Sequence, residues 1–155
     1  MTLDLDLDRR LLIAGVADLV GEPGHRAIGL SGSGLSRLWI GSELHRRVQA
    51  ECAAAEAGYR AEVPVESELE IDGWTVRLTG RADGVVFDDQ DRPVRVDEIK
   101  TLHFAVDLHN LYVEERLDRY RRQAALYATM LAGEDPPPAV RLILVDIVTT
   151  EEQDE

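Results

Sequence analysis

Apolar residues recur at helical spacing between Arg9 and Val20, at Leu12, Val16 and Leu19, so a helix is expected there. Residues 21–34 are rich in Gly, Ser and Pro and read as a loop. A long helix is expected from Leu35 to Ala57, with Leu38, Gly41, His45, Val48 and Cys52 along one mostly apolar or small face. Tyr59 to Ile71 reads as a strand. Asp72-Gly73 supplies a hairpin turn, and Trp74 to Phe87 forms the return strand. An acidic turn at 88–91 leads to a third strand, Pro93 to Lys100. Residues 103–112 fit neither period. Glu114 to Leu131 is an amphipathic helix, ended by Gly133 and the run Pro136-Pro137-Pro138. Val140 to Val148 is a last apolar strand. The order α-α-β-β-β-α-β predicts an α/β fold: a three-stranded meander, a crossover helix, and a strand added in parallel.

No internal repeat or linker is visible, so residues 1–155 are expected to form a single domain. Acidic residues outnumber basic ones, 30 to 17, for a net charge of −13. That argues against binding nucleic acid by bulk electrostatics, though not against a local basic groove or a metal within a carboxylate cluster. Much of the acid lies at about 1–8 and 150–155, which read as flexible solvated tails. No apolar run is long enough to span a membrane, and Asp4, Asp6 and Asp8 are unlike the start of a signal peptide. A cytoplasmic location with no membrane partner is the expectation. The single cysteine, Cys52, rules out an intrachain disulfide, a four-cysteine zinc site and a cysteine-ligated iron–sulfur cluster within this chain.

The chemistry centres on Lys100, the one lysine beside sixteen arginines. Lys is a compact charge whose pKa moves readily, whereas Arg is a permanently charged fork. Glu98 shares a strand face with it. Asp83 lies on the preceding strand. Two carboxylates brought together repel unless a proton or a cation separates them, and oxygen ligands suit a divalent metal. The Ile99 carbonyl would be a further ligand. The ordinary alternative is a turn aspartate plus a surface ion pair. His45 sits on the buried-looking helix face where a third ligand would stand. Gly41, costly inside a helix, implies a close neighbour there. Gln123 and Tyr127 share a face of the later helix, which Arg116 and Arg119 extend; such a row could follow a phosphate backbone. His25, His103 and His109 are given no role.

Four pieces occur in order: Gly41-Ser42-Glu43-Leu44-His45, Gly80-Arg81-Ala82-Asp83-Gly84-Val85, Val96-Asp97-Glu98-Ile99-Lys100-Thr101 and Gln123-Ala124-Ala125-Leu126-Tyr127. Together they resemble the RecB-like branch of the PD-(D/E)XK nuclease superfamily, over about 36–148. The resemblance implies a restriction-endonuclease-like αβββαβ core with a mixed central sheet flanked by helices. It implies Mg²⁺ or Mn²⁺ held by His45, Asp83, Glu98 and the Ile99 carbonyl, with Lys100 as the catalytic lysine. Asp83 and Glu98 would be catalytic as well. Gln123 and Tyr127 would position DNA, and Glu66 would be an auxiliary acid. The implied activity is hydrolysis of DNA, at ends or in single strands, during repair or recombination. The stretch from Val16 to His45 is similar to nuclease modules attached to helicases, so a helicase is an expected partner. The alternatives are a non-cleaving DNA-binding or assembly module, and a small acidic interaction domain without metal or DNA.

Overall fold

The computed structural model describes residues 3–21, 32–102 and 113–146, with backbone only for 32–39, 102 and 113–116. The elements are β1 (Leu3–Asp6), β2 (Leu11–Gly15), α1 (Val16–Val20), α2 (Gly32–Ala55), β3 (Tyr59–Ile71), β4 (Trp74–Phe87), β5 (Pro93–Leu102), α3 (Val113–Ala132) and β6 (Ala139–Asp146). The expected αβββαβ order is present as α2-β3-β4-β5-α3-β6, within a six-stranded mixed sheet. The ambiguous segment 103–112, with His103 and His109, lies outside the described residues. So do His25 and residues 147–155.

The N-terminal stretch differs from expectation. Leu11-Leu12-Ile13-Ala14-Gly15 forms a strand, and only Val16–Val20 is helical. A short apolar run satisfies either period, and here an open strand edge decides the outcome. Leu3–Asp6, expected in a solvated tail, pairs antiparallel with β2.

The topology of β4 creates the site. Its 14 residues pair with β3 along nearly their whole length. Its other edge is shared. Thr75–Thr79 pair in parallel with β2, and Gly84–Phe87 pair antiparallel with β5. Residues 80–83 are left without a rung on that edge among the described residues. Beyond Asp97 the strand β5 leaves β4 and continues beside β6, parallel to it from Arg95↔Ala139 to Leu102↔Asp146. The sheet is therefore forked between Asp83 and Glu98.

Helix α3 covers the fork. Tyr127 and Ala128 join Val16, Val65, Ala82, Val85 and Val96 in one buried cluster. Tyr127 crosses directly over Gly80, where a Cβ would stand 2.5 Å from its Cε1 and 3.0 Å from its hydroxyl. Gly80→Ala is therefore expected to destabilise the fold by about 1–3 kcal/mol through overpacking. A thermal melt measures this directly. An unchanged melting temperature would mean that Tyr127 does not rest on this position.

Candidate active site

The missing rungs of β4 are replaced by a side chain. Asp83 stands one residue before the last rung, Gly84↔Asp97, and its Oδ2 accepts the Ile99 N–H at 2.7 Å. In an extended strand the N–H and C=O of one residue point to the same edge. The Ile99 carbonyl is therefore directed to the Asp83 side of β5.

Helix α2 approaches from the other direction. It can do so because Gly41 has no side chain: a Cβ there would lie 3.1 Å from Thr101 Oγ1. The close neighbour expected at Gly41 is thus the end of β5. One turn later His45 Nε2 lies 3.4 Å from Asp83 Oδ1 and 3.9 Å from Glu62 Oε1, without the alignment of a hydrogen bond. One further turn along, buried Gln49 donates to both the Asp83 carbonyl and Glu62 Oε1, each at 2.8 Å. The short-range contact with Asp83 holds the His45 pKa above its ordinary value, against burial, which lowers it.

Glu62 was not expected here. The rungs Ala61↔Gly84 and Val63↔Ala82 put it opposite Asp83, and its φ of 54° interrupts the regular pleat. His45, Glu62 and Asp83 each offer a ligand atom within 4.8 Å of the others. Glu66, expected as the auxiliary acid, is instead exposed and pairs with Arg77 at 3.5 Å. It lies four residues, roughly 13 Å of strand, from Glu62.

Glu98 and Lys100 occupy β5. Glu98 is wholly buried. Lys100 Nζ lies 2.5 Å from its Oε1, yet neither carboxylate oxygen has an aligned hydrogen-bond donor. The ammonium engages Oε1, and Oε2 has no hydrogen-bond donor among the described residues. Burial, reinforced by the Asp83 charge, pushes the Glu98 pKa up to about 7, while Lys100 and His45 pull it down. Burial lowers the Lys100 pKa, but Glu98 and Asp83 outweigh it, and the ammonium form is favoured beyond its ordinary range. The Lys100 ammonium also stands 5.2 Å from the centroid of the Tyr120 ring.

The expected face of α3 is brought only partly to the site. Tyr127, 3% exposed, reaches it over Gly80, and Gln123 Nε2 donates to its hydroxyl at 3.4 Å. Burial raises the Tyr127 pKa. Arg119 lines neither of the clefts beside the trio, and the Arg116 side chain lies outside the described residues. Those clefts, of about 430 and 720 Å³, meet at His45 and Glu62. Lys100 and Arg46 line one; Asp83, Arg81 and Tyr127 line the other.

An imidazole and several carboxylates around a lysine at a forked sheet edge form a donor set suited to a divalent cation. The PD-(D/E)XK nuclease superfamily matches residues 6–155. The chain belongs to that superfamily, whose members are generally metal-dependent nucleases, and its mixed six-stranded sheet with flanking helices is the restriction-endonuclease-like fold. Among solved structures, the crystal structure of SSO0001 is similar in fold, with a TM-score of 0.57 at 19% identity. The match covers 91% of this chain and 65% of that one, so the chain spans about two thirds of that protein. No curated protein matches. No helix among the described residues is long and apolar enough to cross a membrane.

Proposed function

We propose that this chain is a Mg²⁺- or Mn²⁺-dependent deoxyribonuclease of the RecB-like branch. It hydrolyses phosphodiester bonds at DNA ends or in single strands during repair or recombination. The observation that carries this reading is Glu98: a fully buried carboxylate without an aligned donor, beside Asp83 and Lys100. Burial and the Asp83 charge raise the Glu98 pKa in spite of the Lys100 ammonium at 2.5 Å, and a cation bound from both carboxylates would relieve that repulsion.

His45 Nε2, a buried atom without a hydrogen-bond partner among the described residues, lies 3.4 Å from Asp83 and would add to this donor set, as would the Ile99 carbonyl on the Asp83 side of β5. Glu62 is the less apt ligand because both its oxygens are engaged, by Gln49 at 2.8 Å and by Arg81 at 2.7 Å. Bound there, the ion would polarise a phosphoryl oxygen and lower the pKa of a water. Asp83 is held in place by the Ile99 N–H. Lys100 keeps a positive charge at the cleft wall, where charge develops on the phosphate. Tyr127 and Gln123 brace the β4 edge beneath the substrate. The likeness of the Val16–His45 stretch to helicase-attached nucleases extends the proposal to a module working beside a helicase.

Incubation with end-labelled single-stranded and duplex DNA, with Mn²⁺, Mg²⁺ or EDTA, tests the activity. Metal-dependent cleavage is expected, and the product ladder separates end trimming from internal cutting. The net charge of −13 favours a second reading, a DNA-binding or assembly module that does not cleave. Mn²⁺ binding without cleavage would select it. In either case Asp83→Asn is expected to weaken Mn²⁺ binding more than about 100-fold, beyond the usual effect of an outer partner. The Asn oxygen can still accept the Ile99 N–H, so the melting curve without metal should change little. Titration calorimetry decides this, and wild-type affinity in Asp83→Asn would remove Asp83 from the ligand set.

A further inference from the structure

Two acidic side chains are wholly buried among the described residues, Glu98 and its neighbour Asp97, and the site described above uses only the first. Asp97 projects from the opposite side of β5. Its Oδ1 accepts from Arg95 Nε at 2.8 Å and from Arg141 Nε at 3.0 Å. Its Oδ2 accepts from the same two guanidinium groups at 3.2 and 2.6 Å. Glu56, just past the end of α2, accepts from Arg95 at 2.5 Å and from Arg141 at 3.4 Å. Two carboxylates and two guanidinium groups thus form a balanced quartet that joins α2, β5 and β6.

Its place in the sheet gives the quartet a consequence. Asp97 is the last β5 residue paired with β4, through Gly84, and on β6 its partner in the ladder is Arg141 itself. The next two residues, Glu98 and Ile99, are those that meet Asp83 across the fork. Desolvation offsets most of what a buried ion cluster gains, so geometry is the stronger reason for having one. Each guanidinium is planar and bonds both carboxylate oxygens, which fixes direction as well as distance.

We propose that Asp97, clamped by Arg95, Arg141 and Glu56, is a positioning residue that sets the opening of the β4–β5 fork and so the separation of Asp83 from Glu98. The consequence for metal binding rests on the reading of those two carboxylates as ligands; the consequence for the backbone does not.

Asp97→Asn, with Arg141→Gln as a second variant should the first fail to fold, tests this by two readouts. Hydrogen exchange without metal follows the Ile99 amide, which is bonded to Asp83, beside the Ala124 and Ala128 amides of α3. The expected result is at least about tenfold faster exchange at Ile99 with Ala124 and Ala128 unchanged, and Mn²⁺ affinity about tenfold weaker, comparable to loss of an outer-shell partner. Equal acceleration at all three amides would reduce the quartet to a general structural contact and overturn the proposal. So would unchanged exchange at Ile99. If the wild-type protein binds no Mn²⁺ while Ile99 alone loosens in the variant, the clamp stands and the metal reading falls.

Discussion

Lys100→Ala is expected to lower DNA cleavage by about 10³-fold while Mn²⁺ still binds. The ammonium lies 2.5 Å from Glu98 and lines the cleft that also holds His45. It is the chain's one lysine, and the arginines near it among the described residues are engaged elsewhere: Arg46, in the same cleft, pairs with Glu43, Arg81 pairs with Glu62, and Arg95 and Arg141 hold Asp97 behind the strand. Removing Lys100 takes away the charge that most lowers the Glu98 pKa, so Mn²⁺ binding to the variant should be followed across several pH values, alkaline ones included. Lys100→Arg is expected to be impaired too, because a planar fork does not fit where a compact ammonium sits between Glu98 and the Tyr120 ring. Cleavage at the wild-type rate in Lys100→Ala would remove this residue from the mechanism.

Raising the pH from 5 to 8 is expected to cost the metal-free protein about 3 kcal/mol of stability. Glu98 holds its proton to about pH 7 in the folded state, whereas the unfolded chain releases it near 4.5. Between those values the unfolded state binds fewer protons, so stability falls as pH rises, by about 1.4 kcal/mol per pH unit. His45 acts in the same direction: its folded pKa is raised, so its contribution is present at low pH and lost as pH climbs through that value. Glu56 and Asp88, whose pKa values are lowered, gain stability with pH, but at or below the ordinary carboxylate range, outside this window. A divalent ion prefers the ionised Glu98, so the rise in melting temperature caused by Mn²⁺ should be larger at pH 8 than at pH 5. Glu98→Gln should flatten both dependences. A metal-free melting temperature that is level or rising across this range would show that Glu98 is not the buried, raised acid described here.

Much of the placement of the candidate residues was readable along the chain because it follows short repeats of local geometry. Glu98 and Lys100 share a strand face by alternation, and His45 follows Gly41 by one helical turn. The Asp72-Gly73 turn does more than end a strand. A two-residue turn pairs residues whose numbers sum to 145, and that sum places Glu62 opposite Asp83 and Val65 opposite Gly80. The turn thus makes Glu62 legible as the acid opposite Asp83, whereas Glu66 falls opposite Thr79, further along β3 from the site. The β1–β2 pair was less legible. Five residues, Leu11–Gly15, are too few to separate strand from helix, and their partner is the edge of β4 more than sixty residues away. The Asp97 quartet was hidden for the same reason, since Arg141 lies 44 residues from Asp97 and 85 from Glu56. No local period reports such contacts.

Diffraction at the manganese edge from crystals soaked in Mn²⁺ tests the central claim most directly. The account predicts an anomalous peak in the fork of the sheet, in contact with His45 Nε2, Asp83, Glu98 and the Ile99 carbonyl. No peak there, or an ion held only by exposed carboxylates with Glu98 still against Lys100, would contradict it.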